Sequence, residues 1–306
     1  MTSAGAAHVA VLLSSYNGAR FLPAQLASLR AQTYPDWTLL WRDDGSADES
    51  AALLTAFAGP PVSAAAGRLG VRDSFLALLR AAVPRLGPAD TVAFADQDDV
   101  WLPEKLARGI AALAPLPAGE PGMVCTRQVL VDATLGRIGL SPPLHSPPGF
   151  PASLTQNLAT GCTIMLNRAA AALVAASVPP ATSLHDWWSY VLVTAAGGTV
   201  LMDATPLVLY RQHGGNMVGA PGRLWRRGLL ALRRGPEAYM RVFRGHLAAL
   251  KAQPQLLSPP ARAQVATLQA ALDGGWRQRL RAMALPGLRR QTPLETLVFR
   301  LWFLLG

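Results

Sequence analysis

Three short apolar runs near the N-terminus constrain this chain most, because each ends in a polar cluster and precedes a helix-like segment. "HVAVLL" (8–13) leads into "SSYNG" and a helical stretch from Arg20 to Gln32. "WTLLWR" (37–42) ends in "DDGS", followed by a helical stretch from Asp48 to Phe57 with Ser46 placed as its N-cap. "TVAFA" (91–95) ends in "DQDD", and Pro103 opens the next helix at its first turn. "PVSAA" (61–65) reads as a short strand between them, before the helical "SFLALLRAAV" (74–83). Strands separated by single helices imply a parallel sheet covered on both faces. Ligands of such sheets sit beyond the carboxyl ends of the strands, so "SSYN", "RDDGS" and "DQDD" are expected on one edge.

Farther along, "MVCTRQVLVD" (123–132) and "GCTIMLN" (161–167) read as strands, and "TVLMD" and "PLVLYRQH" as two more around a turn. A chain of 306 residues with 51% hydrophobic and 15% charged residues reads as globular. Its two cysteines, Cys125 and Cys162, leave no room for a disulfide framework or a cysteine-rich zinc site and suit a reduced, cytoplasmic setting. The N-terminus lacks the pattern of a signal peptide, and no apolar run reaches the length of a membrane span.

Charge divides the chain in two. Residues 1–220 hold 13 Lys+Arg against 15 Asp+Glu, whereas residues 221–306 hold 15 against 3. We therefore expect two regions with different partners, the α/β domain over 1–220 and a basic helical region over 221–306. On a helical wheel, "RLWRRGLLALRR" (223–234) places Leu224, Trp225, Leu229 and Leu232 opposite Arg223, Arg226, Arg227, Arg233 and Arg234. That pattern suits an anionic membrane surface, with "LVFRLWFLLG" as a shallow apolar anchor. Packing of the apolar face on the domain of residues 1–220 is the alternative. Nucleic acid is disfavoured as a partner, because the motifs of nucleic-acid-binding domains are missing.

Four clusters carry chemistry. "DQDD" holds Asp96, Asp98 and Asp99 at the end of an apolar strand; carboxylates so placed suit Mg²⁺ or Mn²⁺ gripping a diphosphate. A solvated turn capping the next helix is the plain alternative. In "RDDGS", a carboxylate from Asp43 or Asp44 can accept the ring N–H of a uracil or thymine, while "SSYN" offers a ring for stacking and hydroxyls for a ribose. "LHDWWSY" (184–190) sets Asp186 as a general base beside two Trp, or simply starts a helix with the Trp side chains in the core. "YRQHGGNM" (210–217) presents Arg211 and His213, suited to a diphosphate or a metal, although a lone His is more often structural.

Taken in order, these clusters resemble the inverting family 2 glycosyltransferases of GT-A fold, bacterial rhamnosyltransferase-like members in particular. The resemblance rests on "VAVLLSSYNGARFLPAQLASLRAQTYPDWTLLWRDDGSAD", "FADQDDVWLPEKL", "TGCTIMLNR", "HDWW" and "YRQHGGN" and covers about residues 8–218. It implies a Rossmann-like, mixed but mostly parallel α/β sheet flanked by helices, with the basic helical region as a C-terminal extension. It also implies a nucleotide-diphosphate sugar donor, thymidine diphosphate rhamnose or a uridine diphosphate hexose. A glycan or polyprenyl-linked acceptor would be used at the inner face of the cytoplasmic membrane, building cell-surface polysaccharide.

Residue by residue, the resemblance puts Ser14 and Tyr16 at the nucleobase and ribose, and Asp44 facing the base with Asp43 beside it. Asp98 is expected near ribose and phosphates, and Asp99 on the metal. Asp186 matches the catalytic base, with Trp187 and Trp188 as the acceptor wall. Arg211 and His213 match an element near the diphosphate; we assign Arg211 to the diphosphate and His213 to the metal. Asp96 and Gln97 receive no role. The chain departs from the family pattern in "GRLG", where Arg68 stands in the place of an Asn. Two rivals remain at this stage. A nucleotidyltransferase making sugar nucleotides would carry a Gly-rich basic loop that "SSYNGARF" does not supply, and a decayed carbohydrate-binding scaffold would not keep all four acidic positions.

Overall fold

The computed structural model describes residues 7–62, 67–145, 147–213 and 224–306, side chains of 224–234 excepted. Chain order begins with β1 (Val9–Ser15), α1 (Leu22–Arg30), β2 (Trp37–Asp43), α2 (Ser50–Ala58), α3 (Val71–Ala82) and β3 (Thr91–Ala95). It continues through β4 (Val100–Trp101), α4 (Lys105–Leu113), β5 (Gly122–Val131), β6 (Arg137–Leu140), β7 (Met165–Asn167), α5 (Arg168–Ala175), α6 (His185–Ala195) and β8 (Thr199–Arg211). Four helices close it: α7 (Leu224–Lys251), α8 (Pro259–Asp273), α9 (Trp276–Ala282) and α10 (Pro293–Leu305).

The strands form one sheet in the order β2-β1-β3-β7-β5-β8-β4, with β6 alongside β5. β1 pairs parallel with β2 and β3, and β5 pairs parallel with β8. β7 runs antiparallel to both β3 and β5, so β5 and β8 share the direction of β1–β3. The apolar runs explain the middle of this sheet: Val9 through Leu13 and all of Thr91–Ala95 are buried, as strands covered on both faces require. One consequence matters for function. The carboxyl ends of β1, β2, β3 and β8 lie on the same edge.

Several local expectations change. "TVLMD" and "PLVLYRQH" belong to one long strand, β8, whose pairing with β5 slips in register around Arg127 rather than turning. "GCTIMLN" splits into a 3-10 turn at Gly161–Thr163 and the short β7. α2 begins after Glu49 without a side-chain cap; Ser46 is taken up in the turn at Asp43. Pro103 sits ahead of α4 rather than in its first turn. Of "PVSAA", Pro61 and Val62 form no strand and residues 63–65 lie outside the described residues.

The C-terminal helices pack on the sheet domain. Met240, Phe243, Leu247 and Leu250 of α7 join one buried cluster with Trp188, Tyr190 and Val191 of α6 and with Leu268 of α8. α7 breaks at Gly235 (φ 73°) and Pro236, where a left-handed residue and a missing N–H end the first helical stretch. The amphipathic wheel expected over 223–234 falls on side chains outside the described ones. Of "LVFRLWFLLG", Phe299, Trp302 and Phe303 are buried, with the rings of Tyr239 and Phe243 edge-on or tilted against them, so these three side chains belong to the core, while Leu297, Leu301 and Leu305 are exposed. Among the described residues no helix is long and apolar enough to cross a membrane.

The shared cluster predicts cooperative unfolding. Leu247→Ala should cost about 2–5 kcal/mol and shift a single urea transition seen alike by tryptophan fluorescence and far-UV circular dichroism. Two separate transitions would mean that the C-terminal helices fold on their own.

Candidate active site

The loops after β1 and β2 are laced together by backbone donors and short side chains. Asn17 N donates to Ser46 Oγ, Gly18 N to Ser50 Oγ, Ala19 N to Asp48 Oδ2 and Ala47 N to Asn17 Oδ1, all at 2.8–3.0 Å. Gln97 then ties this pair to the acidic loop after β3. Its Oε1 accepts from Tyr16 N (2.8 Å) and Ser15 Oγ (3.0 Å), and its Nε2 donates to Tyr16 O (3.1 Å). Gly18 is required beside it, since an added Cβ would fall 2.3 Å from Gln97 Oε1. The side chain left without a role by sequence is thus the clip between the two loops.

Asp43 and Asp44 are occupied within the fold. Asp43 accepts from the N–H groups of Gly45 and Ser46 and from Ser46 Oγ, a turn-forming pattern. Asp44 is buried and accepts from Arg42, Ser74 and the N–H groups of Leu69 (2.6 Å) and Gly70 (2.8 Å). Burial would push its carboxyl up, but the Arg42 guanidinium and those N–H groups outweigh it and hold it below the usual carboxylate range. Ser14 is half-buried at the register of Arg42. Tyr16 is exposed, and the guanidinium of Arg68 lies over its ring at 4.0 Å, so the departure from the family pattern places a cation on the stacking face.

The acidic loop is held from behind. Arg211, nearly fully buried, donates from Nε to Asp98 O (2.7 Å), from Nη1 to Ala133 O (2.6 Å) and from its backbone N to Asp99 Oδ1 (3.1 Å). It braces the loop, so its assignment to the diphosphate is withdrawn. His213, stacked on Phe21 at 4.6 Å, brings Nε2 to 2.8 Å from Asp98 Oδ2. The two carboxylates differ in their surroundings: His213 pairs with Asp98, while Asp99 is fully buried beside the Cys162 thiol.

Asp99, Asp96 and the Cys162 thiol have ligand atoms within 4.8 Å of one another. Burial and Asp98 push Asp99 up to about 7, and burial with Asp99 and Asp96 pushes the thiol well above its ordinary range. A thiol held protonated is a poor donor to Mg²⁺ or Mn²⁺, so the half-buried Asp98 and His213, bordered by Asp96, fit a hard cation better. Lys105 lies fully buried behind the cluster, 4.0 Å from the Trp101 ring. Burial lowers its ammonium to about 8.

Asp186 arrives from α6. His185 locks the start of that helix onto β3, stacking on Phe75 at 3.9 Å and edge-on to Phe94 at 4.9 Å. Gly161 makes room for it, since a Cβ there would lie 2.9 Å from His185 Nε2. Burial drops His185 to about 3, so it packs as a neutral ring and adds no charge. One residue on, Asp186 is half-buried in the first helical turn, accepting from Trp187 N (2.6 Å) and Asn157 Nδ2 (3.1 Å). Burial raises it to about 6 despite those donors. Asp96 is pushed well up by burial and then by Asp99, Asp98 and Asp186, which places all four carboxylates in one field.

Asn157 was missed by sequence reasoning; its amide is oriented because Oδ1 accepts from Ala159 N (3.0 Å), a contact no motif announces. Of the expected acceptor wall, Trp187 is half-buried with Nε1 donating to Ser153 O. Trp188 is fully buried, donates to Ser177 Oγ at 2.7 Å and stacks with His246; it has no surface to offer and is corrected to a core residue.

A glycosyl transferase family 2 model matches residues 10–168. The chain belongs to that family. A dTDP-rhamnosyl transferase, RfbG of Shigella flexneri, is 24% identical over 68% of this family 2 chain and 74% of its own length. The E. coli protein WfgD, a UDP-Glc:alpha-D-GlcNAc-diphosphoundecaprenol beta-1,3-glucosyltransferase, is 28% identical over 34% of this chain. The match spans 40% of WfgD, and only 31% of another sequence relative. Among solved structures, S. aureus TarS 1-349 in complex with UDP-GlcNAc superposes with a TM-score of 0.59 over 90% of this chain and 78% of that one. At 14% identity that likeness is one of fold, and the fold is GT-A: a mixed, mostly parallel sheet flanked by helices.

Asn157→Ala removes a donor that favours the charged carboxylate. The Asp186 pKa should therefore rise above about 6 in a carboxyl-detected NMR titration. An unchanged or lower value would detach Asn157 from Asp186.

Proposed function

We propose that this family 2 glycosyltransferase transfers a sugar, with inversion, from a nucleotide diphosphate to a hydroxyl of a glycan or polyprenyl-linked acceptor. The observation that carries the reading is the convergence of Asp186 from the start of α6 with Asp96, Asp98 and Asp99 after β3. In this reading residues 1–220 are the catalytic unit and 221–306 its attachment to a membrane face. The donor is a thymidine diphosphate rhamnose or a uridine diphosphate hexose, in keeping with the substrates named for RfbG and WfgD. The lipid diphosphate named for WfgD supports a lipid-linked acceptor in the same way.

Each side chain has a task. Tyr16 with Arg68 stacks on the nucleobase, Ser14 and the turn of Asp43 and Asp44 shape the base and ribose pocket, and Gln97 keeps that pocket in register with the acidic loop. Asp98 and His213, with Asp96 beside them, would hold Mg²⁺ or Mn²⁺. Such an ion, when bound, offsets the negative charge of a departing diphosphate. Asp186 accepts the acceptor hydroxyl proton as the new bond forms at the anomeric carbon and the bond to the diphosphate oxygen breaks. Trp187 borders the acceptor. Asn157 and Trp187 N hold the carboxylate so that one lone pair faces the incoming hydroxyl.

Asp186→Asn should cost about 10²–10⁴-fold in turnover with nucleotide affinity unchanged by calorimetry; wild-type turnover would remove Asp186 from the mechanism. Because a base must be deprotonated and burial raises Asp186 to about 6, activity should fall as the pH drops through that value. An acid limb at the ordinary carboxylate range would contradict the assignment. His213→Ala should abolish the gain in nucleotide affinity on adding Mn²⁺, and an undiminished gain would place the ion elsewhere.

A further inference from the structure

α10 buries one face and leaves the other bare. Phe299, Trp302 and Phe303 pack inward, while Leu294, Leu297, Leu301 and Leu305 are 71%, 56%, 50% and 79% exposed. At 100° per residue these four leucines fall within about 80° of helix circumference, a single continuous stripe. Large apolar side chains aligned in this way are uncommon on a soluble surface without a partner.

α9 packs against the same helix. Arg279 donates to the carbonyls of Leu304 (3.2 Å) and Phe303 (3.4 Å), which fixes α9 at the carboxyl end of α10. On α9, Trp276 is 62% exposed and Leu280 lies bare one residue beyond Arg279. Arg277, Arg281 and Arg300 are exposed beside these residues, in a region where 15 Lys+Arg face 3 Asp+Glu.

We propose that the leucine stripe of α10, with Trp276 and Leu280 of α9 and the arginines flanking them, docks on the surface of an anionic lipid bilayer. The charge selects this occupant. Two copies meeting through the stripe would bring their arginines together, whereas acidic headgroups neutralise them while the leucines and the indole enter the boundary layer. A helix of 13 residues is about 20 Å long, too short to span the hydrocarbon core, so the contact lies in the plane of the interface. Docking depends on none of the catalytic assignments; it deepens, and rests on, the reading of residues 221–306 as the attachment to a membrane face, with presentation of a lipid-borne acceptor as its use.

The test is flotation with vesicles of phosphatidylglycerol and phosphatidylcholine against vesicles of phosphatidylcholine alone, at physiological salt. The full chain should bind the anionic vesicles, and the exposed double variant L297E/L301E should lose at least about tenfold in partition. Arg277→Gln, Arg281→Gln and Arg300→Gln together should lose a similar factor on anionic vesicles only. Thermal melts and binding of a sugar nucleotide should match wild type in both variants, which separates a failure of docking from a failure of the catalytic reading. Equal partition of wild type and L297E/L301E would overturn the proposal. So would a concentration-dependent dimer in light scattering that L297E/L301E dissolves, since the stripe would then cover itself.

Discussion

Mutual repulsion among Asp96, Asp98, Asp99 and Asp186 is the constraint around which the rest of this molecule is arranged. Two unit charges about 4 Å apart repel by about 4 kcal/mol even at an effective dielectric constant of 20, so such a group assembles only if the fold forces it. The braces are specific. Arg211 holds the backbone of Asp98 and the carboxylate of Asp99, Gln97 ties the loop to Ser15 and Tyr16, and His185 presses α6 against Phe94. Lys105 sets its amine behind the cluster, out of reach of solvent. In the proposed reading, charge gathered at a cost and left uncancelled on its open side is met by a cation and by a proton.

The acidic residues divide by how their lone pairs are used. Asp43 and Asp44 are satisfied by turn N–H groups, Ser46 and Arg42, and Asp44 stays below the usual carboxylate range in consequence. They shape the loops at the ends of β1 and β2. Asp99 keeps an unpartnered buried oxygen, and Asp96 and Asp186 are both pushed upward by burial. Identical side chains on neighbouring loops thus serve scaffolding in one and, in the proposed reading, chemistry in the other, and hydrogen-bond donors decide which.

The same distinction explains what was legible in the sequence. Strands β1 and β3 announce themselves because a strand buried on both faces must be continuously apolar and must end where the polar loop begins, and the edge strand β2 by an apolar run that stops at its own polar loop. Their parallel order puts the clusters on one edge, and Asp186 is recognisable from its neighbours in the family motif. Which of Asp98 and Asp99 meets His213 was not legible, since adjacent carboxylates are alike in type and only the tertiary partner tells them apart. Arg211 and Trp188 look functional by type and position, yet burial turns the first into a brace and the second into core. Asn157 and Gln97 act through contacts 29 and 82 residues away in sequence, where local pattern carries no signal.

The C-terminal helices enter this account through three consecutive residues. Tyr239 of α7 donates to Thr155 O at 2.7 Å, Thr155 Oγ1 donates to Arg289 O, and Gln156 Oε1 accepts from Gln291 N. The next residue, Asn157, donates to Asp186. The segment that orients the carboxylate is therefore held on its other side by the region carrying the leucine stripe and most of the positive charge. A hydrogen bond of 3.1 Å is weakened by small displacements of its donor, so whatever fixes the posture of α7–α10 also fixes how firmly Asp186 is held. Burial in a shared core does part of this work, and a surface pressed against α9 and α10 would do more.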